Sequence, residues 1–353
     1  MGRALDGWLL AAALRAPESV RTLDADGWTA LLAIARAEQM IGTLAWRLDG
    51  VAMPPGVARI LTDARASAEQ GRVIAVWEAE AARRALAPLG VPVVLLKGTA
   101  FVAANLHAGQ GRSIGDLDIL VPRETLDAVE AALLGAGWEW VKPDPYDDAY
   151  YRQWMHELPP LIHRDRDRMI DVHHTILPLT ARITPDAAAL LSDAVEVAPG
   201  LWALSPADMI VHAAAHLFAD GDLAGGMRNL WDVDQLCREF ALNDRHFCLS
   251  VYERAWQHGL LAAVERAFRL CHQLYGTPVV GYTTPITIDL SPRLSDRAYL
   301  RRVTARDGWG RATRPFTRQA FYIRSHWLRM PPTMLARHLW IKWRHGGAGP
   351  ASG

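Results

Sequence analysis

The chain has 353 residues, half of them apolar, enough for a sizeable core and for more than one structural unit. Basic and acidic side chains balance at 38 each, so no global field selects a polyanion such as nucleic acid as partner. Three cysteines, Cys237, Cys248 and Cys271, form no Cys-x-x-Cys pair. That argues against a disulfide framework and fits a reducing cytoplasm.

In chain order, "MGRALDGWLLAAALRAPESV" has an apolar stretch too short to span a membrane. Its Ala-rich end leaves a cleavable leader as the alternative reading. The reading taken is an amphipathic helix with Trp8, Leu9, Ala12 and Ala13 on one face. Helical spacing continues to about residue 88, and Gly90 offers a C-cap. "VPVVLLKG" is a buried strand, "TAFVAANLH" a helix with Thr99 near its start, and "IGDLDILV" a second strand. "PRETLDAVEAALLGAG" opens on Pro122 and closes on glycines, as a helix does. "HELPPLIHR" and "RMIDVHHTI" flank the turn "DRD" as a hairpin.

From Ser205, an N-cap followed by Pro206, the pattern is helical to about residue 275, where the breaker-rich "YGTPVVGYTTPITIDLSP" begins. The predicted class is α+β, a small α/β core with a mixed sheet between helical regions. The expected units are an N-terminal helical region (1–88), the core (89–180), a C-terminal helical domain (181–285) and a tail (286–353). From Arg293 the tail carries thirteen basic residues against Asp296 and Asp307, with Trp309, Trp327, Trp340 and Trp343 interleaved. Stacking on RNA and lying on an anionic membrane are alternatives for it; docking on its own domain with arginine heads in water is the reading taken. The final "GGAGPASG" is expected to be disordered.

The chemistry concentrates around Asp116 and Asp118. Strand alternation puts both on one face. Two carboxylates that close tolerate each other if they share a cation, and Asp-x-Asp suits one or two Mg²⁺ ions, which keep waters for substrate phosphates. Asp171, on the second hairpin arm, becomes the third acid if that arm pairs beside the Asp-x-Asp strand. It would hold metal and help deprotonate an attacking hydroxyl. Phosphate donors are at hand in Lys97, in Gly98 and Thr99 at a helix N-terminus, and in Arg112 and Ser113. Lys97 is one of only three lysines, with Lys142 and Lys342, in a chain otherwise using arginine. These parts suit metal-assisted phosphoryl or nucleotidyl transfer.

"LLKGTAFVAANLHAGQGRSIGDLDILV" resembles the signature of the nucleotidyltransferase superfamily that includes DNA polymerase β and the aminoglycoside nucleotidyltransferases. It is most similar to a branch of largely uncharacterised bacterial proteins with a Leu-Lys-Gly, Arg, Asp-x-Asp pattern, which nucleotidyltransferase toxins share. "IDVHH" resembles that branch's acidic strand, and "LSPADMIVHAAAHLF" and "RNLWDVDQL" its helical region, so the resemblance covers roughly residues 90 to 275. It implies transfer of an NMP from an NTP to an acceptor, with two Mg²⁺ ions on Asp116, Asp118 and Asp171 and pyrophosphate leaving. The phosphate-loop glycine maps onto Gly98. The chain departs from the superfamily in having Thr99 where Gly-Ser is commoner, and in the longer gap from Gly98 to Asp116.

His212 and His216 share a helical face with Asp208 a turn earlier. Zinc would suit that spacing, but the Glu of His-Glu-x-x-His is missing, so two hydrogen-bonded core histidines is the plainer reading. The resemblance makes cleft-lining an alternative for both, and for Arg228 and Asp232. By alternation His173, and not His174, shares the face of Asp171. Two other functions stand beside nucleotidyl transfer: an inactive scaffold of the same fold, and a metal-dependent phosphohydrolase. The acceptor is not legible; a small molecule, a protein and an RNA end all qualify.

Overall fold

The computed structural model of the chain describes residues 5–141, 144–279 and 289–329. Four helices come first: α1 (Gly7–Arg15), α2 (Ala25–Ala37), α3 (Ile41–Arg47) and α4 (Pro55–Leu86). Asp6 and Asp24 start α1 and α2 by accepting hydrogen bonds from Trp8 N at 3.0 Å and Gly27 N at 2.8 Å, which satisfies donors that a helix start leaves open. The face of α1 is a correction to the expected one. Leu9, Leu10, Ala13 and Leu14 are buried while Trp8 is 40% exposed. Three leucines stacked over successive turns outweigh one tryptophan in the first turn.

The core alternates β1 (Val93–Leu95), α5 (Lys97–Ala103), β2 (Leu117–Leu120), α6 (Leu126–Gly135), β3 (Trp138–Trp140), α7 (Pro145–Trp154), β4 (Leu161–His163), β5 (Met169–His173), α8 (Ala187–Ser192), β6 (Val195–Ala198) and β7 (Leu201–Ala203). The seven strands form one mixed sheet in the order β3-β4-β5-β2-β1-β7-β6. β1 runs antiparallel to β2 and parallel to β7, and β2 runs parallel to β5. β4 and β5 are the arms of the expected hairpin. The β6–β7 hairpin, from beyond residue 180, completes the other edge. Both central strands, β1 and β2, are buried along their whole length.

Six helices follow: α9 (Pro206–Ala215), α10 (Gly226–Asn243), α11 (Phe247–Gln257), α12 (Leu261–Tyr275), α13 (Leu294–Val303) and α14 (Pro315–Arg329). Ser205 caps α9 by accepting from Asp208 N at 3.2 Å. Asp208 is fully buried and held by Arg254 of α11 at 2.8 and 2.7 Å. One cluster of buried apolar side chains runs from Leu9 to Phe321 through all these parts.

The described part of the tail docks on the rest of the chain. Arg324 donates to Phe218 O at 2.8 Å, the Arg266 and Arg324 guanidiniums lie 4.5 and 5.4 Å from the Tyr299 ring centre, and Arg182 lies 5.2 Å from that of Trp327. Trp340, Trp343, Lys142, Lys342 and the glycine-rich end fall outside the described residues. The three cysteines are buried, and none forms a disulfide. No helix among the described residues is long and apolar enough to cross a membrane.

Candidate active site

The parallel pairing of β2 with β5 sets Asp118 opposite Asp171 in register, with Leu117 opposite Ile170 and Leu120 opposite His173. Registered neighbours on adjacent strands project to the same face. Asp116 stands just before β2 and reaches solvent. Carboxylate oxygens of Asp116, Asp118 and Asp171 lie within 4.8 Å of one another.

The three acids do not share charge equally. Asp118 is buried, and burial opposes its ionisation. Lys97 Nζ at 2.6 Å and His173 Nε2 at 2.9 Å, both on Oδ1, overcome that and hold its pKa well below the usual carboxylate range. Asp171 has no such partner. Burial, then the charges of Asp118 and Glu157, push it up to about 7. Desolvation and Asp118 raise Asp116 as well. Burial disfavours the Lys97 ammonium, but Asp118, Asp116 and Glu157 outweigh it and keep its pKa above the ordinary value. The trio thus holds one committed carboxylate and two that lack positive charge. Three converging hard oxygen donors short of a cation fit Mg²⁺.

Asp116 also lines a cavity of about 310 Å³ between the core and α9 and α10. Lys97 and Arg112, whose charges both act on Asp116, line it as well, and Phe101, Leu204 and Met209 supply apolar wall. His212, His216, Asn229 and Asp232 face them from the helical side. Arg112 pairs with buried Asp232 and lies 5.6 Å from the Phe101 ring centre. Asp232 is raised by burial against the pull of Arg112 and Arg228.

The loop carrying Arg112 is seated on α3. Gly111, at φ +64°, lies so close to Gly42 that a Cβ on it would fall 2.3 Å from Gly42 O. Thr43 Oγ1 donates to Gly111 O at 3.3 Å, and His107 N donates to Glu239 of α10 at 2.8 Å. Gly98 makes room for the guanidinium: a Cβ there would meet Arg112 Nε at 2.4 Å. The space expected above Gly98 for a phosphate therefore holds an arginine.

Other expected residues fall elsewhere. Thr99 is 2% exposed in α5 and off this cavity's wall, lining instead a small separate cavity with Asp116. Ser113 faces a separate groove against α2 to α4. Arg228 turns from the cavity toward the N-terminal helices, donating to Gln39 O at 3.1 Å and Thr43 Oγ1 at 2.6 Å; burial lowers it to about 10. His174 packs against Met155 O at 3.2 Å, and burial with Arg123 brings it down to about 4. Asp208 points at Arg254 and not at the histidines, which removes a zinc reading of that helix; burial, then Lys97, depresses His212 far below its usual value, so it is a neutral wall residue.

Sequence reasoning missed Asn229, and also Glu157, whose carboxylate stands 3.4 Å from His173 Nδ1. "HELPP" was readable as hairpin; the bridge from Glu157 to His173 that brings the glutamate to the site has no local signature.

No curated protein matches the chain. A family model described as "Uncharacterised nucleotidyltransferase" matches residues 24–276, which takes in the N-terminal helices from α2, the whole sheet and the helices through α12. The match covers well over half the chain and contains every acid, cation and cavity wall just described, so the chain belongs to that nucleotidyltransferase family.

Proposed function

We propose that the protein transfers the nucleoside monophosphate part of an NTP to an acceptor, with the nucleotide in the 310 Å³ cavity and its α-phosphate at Asp116. One observation carries this reading: Asp116 belongs both to the acid trio and to the wall of a cavity that also holds Lys97 and Arg112. Phe101, Leu204 and Met209 offer apolar surface to a base and sugar, while Lys97 and Arg112 offer positive charge to the phosphates. Asp116, Asp118 and Asp171 would hold Mg²⁺, two ions in the superfamily's usual manner, which neutralises charge developing on the α-phosphate. Asp171, half-buried and with its pKa raised to about 7, accepts the proton of the acceptor hydroxyl. The hydroxyl oxygen then bonds to Pα, the bond from Pα to the bridging oxygen breaks, and pyrophosphate leaves. Among Lys97, Arg112, Asp116 and Asp232 the charges balance, so a triphosphate needs added cations, which supports a metal requirement.

The test uses α- and γ-labelled NTPs with purified protein, Mg²⁺ and a cell extract. Label from the α position should enter an acceptor while the γ label leaves as pyrophosphate. Asp116→Asn should reduce transfer by about 10²–10⁴-fold. Asp118 is passed over in favour of Asp116 because Asp118 also accepts a hydrogen bond from buried His173 and pairs with Lys97, and losing it would confuse folding with chemistry. Release of inorganic phosphate alone would point to a phosphohydrolase, and no metal-dependent nucleotide binding to a scaffold. The acceptor class, whether small molecule, protein or RNA, is what the labelled fraction identifies.

A further inference from the structure

A second group of metal-ligating side chains stands on the far side of His173 from the acid trio. His156, Glu157 and His173 each bring a ligand atom to within 4.8 Å of the others. They are held by a short ladder: Leu158 N donates to Val172 O at 2.9 Å, His174 N donates to His156 O at 2.9 Å, and Glu157 bridges His173.

His173 is 2% exposed. Its Nε2 lies 2.9 Å from Asp118 Oδ1, an oxygen that Lys97 also contacts at 2.6 Å. A carboxylate under an ammonium accepts only, so Nε2 carries the proton. Nδ1 then faces Glu157 Oε2 at 3.4 Å with no hydrogen-bond partner. A buried lone pair aimed at a carboxylate is repulsive unless something positive lies between them. His156 adds a second imidazole: its ring centre is 5.2 Å from that of His173, its Nε2 is 3.7 Å from Glu157 Oε2, and its Nδ1 is buried without a partner.

Two bonds of roughly 2.0–2.2 Å at a tetrahedral angle set ligand atoms about 3.3–3.6 Å apart. The 3.4 Å separation is that of two ligands on one tetrahedral cation, and the 3.7 Å one lies about 0.1 Å beyond that range. A histidine whose other ring nitrogen donates to a carboxylate is the usual metal-bound form, since that partner fixes tautomer and orientation. We propose that His156, Glu157 and His173 form a binding site for a borderline divalent cation of the Zn²⁺ class, distinct from the carboxylate trio. The fourth position goes to water, which His156 and Glu157, both only partly buried, leave reachable. Imidazole donors select Zn²⁺ or Co²⁺ over Mg²⁺. The bound ion locks the His173 Nε2–H toward Asp118 and so fixes how Asp118 presents its remaining oxygen to the trio. The reading does not depend on the reaction proposed above.

Full-length protein stripped with chelator is titrated with Co²⁺ and with Zn²⁺. Wild type should take up one equivalent in a tetrahedral d–d spectrum, and Zn²⁺ should displace it. Glu157→Gln and His156→Ala should each bind at least tenfold more weakly, with folding checked by thermal unfolding; if His156→Ala does not fold, Glu157→Gln decides. Asp116→Asn should keep the tetrahedral signal, because Asp116 lies in the other group. No tetrahedral Co²⁺ in wild type, or affinity unchanged in Glu157→Gln, overturns the site. Loss of the signal in Asp116→Asn also overturns it, because the ion would then sit among the acids and a proton on His173 Nδ1 would fill the gap.

Discussion

Asp171→Asn should make the metal-free protein more stable while removing its chemistry. The reason lies in linkage. Asp171 goes from an ordinary 3.8 in the unfolded chain to about 7 in the folded one. Between those values the folded state holds a proton that the unfolded state has lost, so the group's contribution to stability is present below 3.8 and lost as pH rises to about 7. A shift of roughly three units at 1.36 kcal/mol each is about 4 kcal/mol. Asp171 is only half-buried, and solvent relaxation brings the expected value to about 2–4 kcal/mol at pH 8. At pH 5 less than half of that cost has developed. Asparagine has the same shape and no charge to desolvate. Urea unfolding in chelator should therefore show the variant above wild type by about 2–4 kcal/mol at pH 8 and by clearly less at pH 5. Mg²⁺ should then narrow the gap at pH 8 by stabilising wild type alone. A variant no more stable than wild type at pH 8, or a gap that does not grow with pH, refutes the account of Asp171 as the acid short of a cation.

Two further changes separate the site from its frame. Gly98→Ala puts a methyl group 2.4 Å from Arg112 Nε; the guanidinium must move, and steady-state kinetics should show the NTP KM rising about tenfold, with about 1–3 kcal/mol lost from stability by overpacking. Ser205→Ala removes the cap of α9 and a 2.7 Å bond to Asp208; it should cost about 1–2 kcal/mol in thermal or urea unfolding and leave NTP affinity unchanged.

The acid trio was legible because two independent patterns named it. Period-two spacing put Asp116 and Asp118 together, and "RMIDVHHTI" supplied one more acid with a histidine on its face. The parallel pairing that joins them is a tertiary fact, and the sequence gives only its condition. Strand length limited the rest. β7 has three residues and β6 four; "VEVAPGLWA" does alternate around a Pro-Gly turn, yet segments that short carry little periodic signal. Loop residues had no period to read. Arg112 and Ser113 are neighbours and both border the groove against α2 to α4, yet only Arg112 also reaches the cavity, because the Gly111–Gly42 approach fixes how the loop crosses α3. Arg228 and Asp232 sit one turn apart on α10, yet Arg228 reaches back to Gln39 and Thr43, a partnership spanning most of the chain.

Lys97 ties these observations together. It holds φ +49°, a conformation that costs an L-residue roughly 1–2 kcal/mol, at the turn where β1 gives way to α5. The same residue places an ammonium 2.6 Å from Asp118 and lines the cavity. Without that ammonium three acids would face one another with only the His173 hydrogen bond to Asp118 between them, and the registered Asp118–Asp171 pair would push β2 and β5 apart. With it, Asp118 is settled and the unmet demand for positive charge falls on Asp116 and Asp171, the first of which lines the cavity. The strained backbone is thus what lets the sheet fold with its acids together while leaving two of them in need of a cation.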